Sequence, residues 1–596
     1  MLTTLKKRIT HGNLLVIFTA ILFFSCQKDL SLDNSGVGIQ PPDLSTKINS
    51  SVSGFVTDEN NAAVMGATVQ FGTTNITTDK YGYFEAKNIQ VVKNAAVVTV
   101  NKTGYFKGIK TYIAKEGKAA FFRIKLIPKT NVGNINAASG GTVTLANGLS
   151  IKLPAGGIVN AATNSPYTGT VNIAAFWINP TAVDLNQIMP GDLRGINTEG
   201  SLKLLQTFGM TAVELTGSAG ELLQIVNGRK ATLSLTIPPS LIASAPATIP
   251  LWYFDEANGL WKQEGSATKT GNTYTGDVGH FSFWNYDQPG NLVQFDCTLK
   301  NSAGNPLGYT LVRLTVNGMA SAYGYTDSSG YVSGAIFANS NFLLEVFPNY
   351  GCSGPVYSQT FTTGTTNISL GVITIAAASN SATLTGTVTN CNNTPVTNGY
   401  ILLNDVNNIY TRYPLNSSGA YSISKLFCSL PQTISFIGED IANAQQSATV
   451  SYTVNAGANV IPNIQACAVA TQQFLNYSIN GTTYNFSYPA DTFYYNNNAV
   501  QSLLFLTGSS IASGHSGNLR VGNTGLAIGS VQTLDQFKPT QVQDTFRITT
   551  PVLVNITEYG AIGQFAAGNF SGVFTGAAPA NTQYNVTCNF RLRRNN

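Results

Sequence analysis

The chain of 596 residues carries 33 Lys and Arg against 28 Asp and Glu, and charged side chains are only 10% of it. Setting aside Lys6, Lys7 and Arg8 near the start leaves 30 against 28, a net charge near +2, which excludes the broad basic face that nucleic acid demands. Of its three histidines His11 lies near the start, so a His-Glu-x-x-His zinc site is impossible; no phosphate-binding Gly loop ending in Lys-Ser/Thr occurs, and no cofactor or metal is expected.

Residues 1–25 read as an export signal. Lys6, Lys7 and Arg8 form a basic start, Leu14 to Phe24 is an uncharged run of eleven, and small Ser25 precedes Cys26. A run of that length falls short of the roughly 20 residues a helix needs to span a bilayer, so cleavage is expected. A cysteine straight after the cleavage point resembles the lipobox of bacterial lipoproteins, with Phe23 and Phe24 where that pattern prefers Leu and a small residue. The resemblance implies that Cys26 is acylated and anchors the chain in a membrane, at about 0.8 kcal/mol per buried methylene. Gln27-Lys28-Asp29 is similar to the export tag of surface-exposed Bacteroidetes lipoproteins. That likeness implies an outer-membrane lipoprotein displayed at the cell surface, with a periplasm-facing one as the alternative. Residues 26–50, rich in Ser, Asp, Gly and Pro, are expected to be a flexible tether reaching roughly 25 Å.

Beyond the tether, short alternating runs separated by turn residues recur, and long helical patterns are absent. Three segments, 51–128, 292–376 and 381–467, share a plan. Each has a first strand (Val52 to Asp58, Phe295 to Leu299, Leu384 to Val388), a second, and then a turn followed by an aromatic strand. The turns read Thr78-Asp79-Lys80-Tyr81-Gly82, Thr326-Asp327-Ser328-Ser329-Gly330 and Asn416-Ser417-Ser418-Gly419. Asp or Asn at the first turn position caps the backbone, and Gly at the fourth accepts positive φ. Capping, rather than calcium binding, is the expected role of Asp79 and Asp327, since neither lies in an alternating D-x-D-x-D-G loop. The three copies resemble the carboxypeptidase regulatory-like domain; the third, lacking the Thr-Asp pair, is the loosest match. The resemblance implies seven-stranded transthyretin-like sandwiches without the zinc peptidase that accompanies them elsewhere.

Residues 132–290 hold all four tryptophans. Hairpin strands from Gly140 lead to a corner at Pro154-Ala155-Gly156, similar to the start of the sandwich of ankyrins and netrin receptors. The later part, through Leu251-Trp252-Tyr253 and Gly259-Leu260-Trp261, is similar to proteins related to cartilage intermediate layer protein, which implies an extracellular structural or binding role. Trp252 and Trp261 are candidates for stacking sugar rings, but they sit in alternating strands where a buried ring anchors a core, the favoured reading. His280-Phe281-Ser282 matches the tripeptide at which some domains of the ankyrin and netrin-receptor type cut themselves, His280 acting as base and Ser282 attacking the Phe281 carbonyl. Many such domains keep the tripeptide uncut, because cleavage also needs backbone strain.

After Cys26, six cysteines remain: Cys297, Cys352, Cys391, Cys428, Cys467 and Cys588. An even count in an oxidising compartment reads as structural disulfides, and no C-x-x-C spacing marks a metal or redox site. If each module closes within itself, Cys297 pairs with Cys352 and Cys391 with Cys428, leaving Cys467 and Cys588 open. Gly514-His515-Ser516-Gly517-Asn518 lacks the last glycine of a nucleophile elbow and reads as a polar loop. Residues 471–596 form a last β-domain, ending like many Bacteroidetes lipoproteins.

The expectation is an all-β protein of serial β-sandwich modules (transthyretin-like or Ig-like) with a C-terminal β-domain. It is expected to be non-enzymatic, lipid-anchored, and to bind or scaffold an extracellular protein or carbohydrate. The alternatives are self-processing at Phe281–Ser282 or a hydrolase with an unrecognised site.

Overall fold

A computed structural model describes residues 41–594 except 317–318, 320, 377–378, 406–408, 444, 471–472, 489–490, 511–512, 561 and 563–564. The export signal and Cys26 lie outside the described residues. The α-helix among the described residues is one turn, Leu185–Ile188, and the rest of the regular structure is strand but for a short 3-10 turn. Residues 47–50, expected to be part of the tether, are strand instead. Asp43 caps Ser45 N at 2.8 Å, and strand Lys47–Thr57 already pairs Ile48 with Val91, where Val91 gives it something to bury.

The three repeat segments fold to one plan. In the first sandwich the strand order is Tyr83–Val92, Lys47–Thr57, Ala119–Lys125 in one sheet. The facing sheet runs Thr74–Thr77, Thr68–Phe71, Ala96–Asn101, Gly108–Tyr112. The second sandwich repeats this as Tyr331–Phe337, Leu292–Asn301, Ile368–Ile375 against Ala322–Tyr325, Leu311–Thr315, Asn341–Phe347, Tyr357–Thr362. The third places Ser381–Thr389 between Ala420–Leu426 and Gly457–Val460. In each, the first strand lies parallel to a late one. Period-2 burial drives this folding: strand Leu292–Asn301 buries Val293, Phe295, Cys297 and Leu299 and turns the residues between them outward.

The turn chemistry also repeats. Asp79 Oδ1 accepts from Tyr81 N and Tyr83 N at 2.8 and 2.9 Å, Asp327 Oδ1 from Ser329 N and Tyr331 N at 2.8 and 3.0 Å, and Asn416 Oδ1 from Ser418 N and Ala420 N at 2.9 Å each. Gly82, Gly330 and Gly419 follow at φ 74°, 79° and 71°. A Cβ there would fall 2.2, 2.3 and 2.6 Å from the carbonyl oxygens of Val56, Leu299 and Val388, so the first strand's backbone enforces glycine. In two copies the preceding Thr clamps the loop: Thr78 Oγ1 donates to Val64 O and Thr326 Oγ1 to Leu307 O, both at 2.7 Å. Leu415 stands there in the third.

The tryptophan module is a thirteen-stranded sheet, and the C-terminal domain is a nine-stranded antiparallel sheet around Leu475, Leu506, Phe537, Phe570 and Phe590. The repeat sandwiches do not hang apart. Phe55, Tyr83 and Phe121 of the first, Leu311, Tyr325 and Phe347 of the second, and Tyr400 and Leu402 of the third form one buried cluster.

Candidate functional site

Trp252 and Trp261 are 0% exposed, which removes them as sugar-stacking surfaces. Strand Thr248–Asp255 is buried on both faces. Ile249 and Leu251 enter the module's main cluster, while Trp252 and Phe254 enter a second one with Phe106, Ile109 and Ile127 of the first sandwich. Trp261 joins that same seam. Each indole N–H is satisfied there, Trp252 Nε1 donating to Asp287 O at 3.1 Å and Trp261 Nε1 to Asp192 O at 2.8 Å. Both rings fasten one module to another.

His280, Phe281 and Ser282 lie just before strand Phe283–Gly290, the last of the tryptophan module, and their reactive groups are turned to other partners. The His280 ring stands edge-on to Tyr253 with centroids 4.7 Å apart, its Nε2 3.9 Å from Glu264 Oε2, and burial lowers its pKa. Ser282 Oγ donates to Phe283 O at 3.1 Å. Gln224 clamps the peptide between them: Oε1 accepts from Phe281 N at 2.7 Å, and Nε2 donates to Phe281 O at 3.1 Å. None of the three residues has positive φ. Among the described hydrogen bonds none joins the His280 base to the Ser282 nucleophile. Of the segment expected to be a polar loop, Gly514 and His515 precede strand Ser516–Gly522 while Ser516, Gly517 and Asn518 lie in it, and Ser510 N donates to His515 O at 2.8 Å.

The cysteine pairing differs from the expected one. The disulfides are Cys352–Cys428 and Cys391–Cys467; Cys297 and Cys588 are free and buried. Cys297 occupies an inward position of strand Leu292–Asn301, between the sheets, out of reach of Cys352 in the loop after Asn341–Phe347. Cys588 is likewise inward in the C-terminal sheet, beside Val586 and Phe590. Burial pushes the Cys297 thiol up to about 12. Cys352–Cys428 crosses from the second sandwich to the third, so the assumption that modules close within themselves fails there. Cys391–Cys467 does close the third sandwich on itself.

The junction around Tyr400 is the feature that sequence reasoning missed. The Arg412 guanidinium lies 3.4 Å from the Tyr400 ring centroid and 4.3 Å from that of Tyr83, bridging third and first sandwiches. Arg123 faces Phe55 at 5.3 Å and Tyr325 at 5.8 Å, and its Nη2 donates to Tyr410 O at 2.8 Å, touching all three sandwiches. Beside them, Lys80 Nζ meets Gln446 Oε1, and the Tyr400 hydroxyl meets Glu439 Oε2. Burial raises the pKa of both Asp79 and Glu439, opposed at Asp79 by backbone hydrogen bonds and at Glu439 by Tyr400, with Arg412 also lowering each. Arg593 of the C-terminal domain brings Nη1 to 3.3 Å from Met65 Sδ of the first sandwich. One signal was present in the sequence: Tyr400-Ile401-Leu402-Leu403 does not alternate, and all four residues are buried, as in a strand covered on both faces.

Fold and junction define a multi-module all-β protein whose three repeat sandwiches share one aromatic and cationic junction. No family model matches the chain. It is similar to cartilage intermediate layer protein 2 of Homo sapiens, 27% identical over 167 residues, or 26% of this chain and 14% of that protein. Cartilage intermediate layer protein 1 of Sus scrofa is 29% identical over 100 residues, 17% of this chain and 16% of that one. The chain thus matches only a small part of these relatives' length. Among solved structures, the shaft pilin SpaA from Lactobacillus rhamnosus GG aligns at TM-score 0.18 and 7% identity, over 30% of this chain and 98% of that one. The Bacillus anthracis TIE protein aligns at 0.14 and 9%, over 63% and 70%. Scores this low transfer no function.

Proposed function

We propose that this chain is a non-enzymatic scaffold of the cell envelope, anchored by lipid on Cys26 and presenting its β-modules to an extracellular protein or glycan. The observation that carries this reading is the bond Cys352–Cys428, which ties two modules covalently beside an aromatic junction shared by three. Disulfides persist in oxidising compartments, and a cross-module bond resists separation of domains that would otherwise move. The likeness to cartilage intermediate layer proteins over a quarter of the chain points the same way. Rigid modules would hold their loops at fixed spacing, and loops on rigid scaffolds are where recognition resides. Acyl labelling of the parent and of Cys26→Ser, with protease shaving of intact cells, tests the address. Label confined to the parent and cleavage on whole cells are expected. The intact mass of the mature chain tests the non-enzymatic part: a single uncut species is expected, and fragments ending at Phe281 would overturn it.

A further inference from the structure

On the outer face of the C-terminal sheet five asparagines stand in one row. The pairing register sets Asn485 opposite Asn476, Asn476 opposite Asn589, Asn589 opposite Asn569 and Asn569 opposite Asn555. They belong to the neighbouring strands Thr482–Ser487, Phe474–Ile479, Gln583–Arg593, Phe565–Thr575 and Leu553–Tyr559. The residues beside them in sequence, such as Phe486, Leu475, Phe590 and Phe570, fill the core, so the asparagines point outward. Asn485, Asn555 and Asn589 are exposed, and Asn476 and Asn569 are half-buried. Two residues along each of four of these strands, Thr483, Ser478, Thr587 and Ser571 make a second, parallel row of hydroxyls.

Stability does not account for the asparagine row. Asn is depleted in strands, where β-branched and aromatic side chains pack better. The side-chain bond described within the row runs from Asn555 Nδ2 to Asn569 Oδ1 at a long 3.4 Å, so the amides do not fasten one another. A local preference broken at registered positions marks a surface kept for function. Neither row holds a charged side chain, so the face offers an ion no counter-charge. What it does offer is a repeat: an amide that both donates and accepts, at every strand spacing of about 4.8 Å, over about 19 Å in all. Exposed Leu553 and Val573 border the hydroxyl row and add apolar contact.

We propose that this face binds an uncharged glycan chain, laid across the strands with its hydroxyls on the asparagine row. A glycan is itself a repeat of neutral groups that donate and accept, and its ring C–H faces suit Leu553 and Val573. The proposal rests on the reading of this chain as a scaffold presented to extracellular ligands, and it names the ligand class and the module that takes it.

The test is isothermal titration of the exported full chain, carrying Cys26→Ser so that detergent is unnecessary, with laminarihexaose, cellohexaose, maltohexaose and the charged hexagalacturonate. One neutral hexasaccharide per chain is expected, its linkage identifying the source. Hexagalacturonate is expected to bind about tenfold more weakly or worse, since its carboxylates would lose water without gaining a partner. Asn555→Val with Asn589→Val is expected to weaken sugar binding about tenfold, while the urea midpoint holds or rises because Val favours strands. Binding by none of the neutral sugars, equal binding of hexagalacturonate, unchanged binding by the folded variant, or pairing of two parent chains through this face in place of glycan would each overturn the proposal. Should the double variant fail to fold, Asn589→Val alone and the comparison of sugars decide. Failure here beside the expected acyl labelling and cell-surface cleavage would strike the glycan site and spare the scaffold reading; failure of labelling and cleavage would strike the address and leave this titration standing.

Discussion

Cys352 of the second sandwich and Cys428 of the third are bonded with their Cα atoms 5.2 Å apart, 76 positions from each other in sequence. Cys391 and Cys467, within the third sandwich, are also 76 residues apart. Loop-closure entropy therefore assigns both bonds the same worth, about 4 kcal/mol. What differs is where each acts. Cys352→Ala with Cys428→Ala is expected to open the link between sandwiches, so that limited proteolysis cuts near residues 376–381 while both sandwiches stay folded. Cys391→Ala with Cys467→Ala is expected to expose sites inside the third sandwich instead.

Arg412, stacked between Tyr400 and Tyr83, holds the third sandwich to the first. Arg412→Ala is expected to cost about 1–2 kcal/mol, read as a lower urea midpoint, because it removes a half-buried cation from two ring faces and leaves Glu439 with less opposing charge. Arg412→Lys is expected to recover only part of this, since an ammonium does not stack as a planar guanidinium does.

Trp252 is expected to matter for stability and not for sugars. Trp252→Ala empties a fully buried site in the seam to the first sandwich and is expected to cost about 3–5 kcal/mol. Glycan-array profiles of parent and of the milder Trp252→Phe are expected to be the same; selective loss of a glycan signal in Trp252→Phe would contradict the assignment.

Burial lowers the Lys110 ammonium to about 7, and its Nζ donates to the carbonyls of Asn186 and Met189 at 2.7 Å each. The unfolded chain keeps this group protonated to about pH 10, so between about 7 and 10 unfolding takes up a proton. The parent is therefore expected to gain stability as pH rises through that window, by at most about 1.4 kcal/mol per pH unit from this group. Lys110→Met lacks the group, and its stability relative to the parent is expected to fall over the same range, measured by urea unfolding at matched ionic strength.

Local chemistry was legible in the sequence. Asp79, Asp327 and Asn416 cap the turns assigned to them, and the alternation around Cys297 marks a half-buried strand. These features depend on residues within a few positions of one another. The cysteine pairing was not legible, because Cys352 finds Cys428 only once two sandwiches are placed side by side. The burial of Trp252 and Trp261 was foreseen, but not its setting: alternation tells which residues share a face, not which neighbour covers it. Arg123 and Arg412 escaped notice for the same reason, since their ring partners lie in other modules.

The most direct test of the proposal that this chain is a scaffold with its modules locked together outside the cytosol is disulfide mapping of the protein taken from its own cells, with thiols blocked before lysis. Linked peptides Cys352–Cys428 and Cys391–Cys467 are predicted, with Cys297 and Cys588 blocked only after denaturation. Cys297 joined to Cys352, Cys391 joined to Cys428, or all six found as thiols would contradict the account.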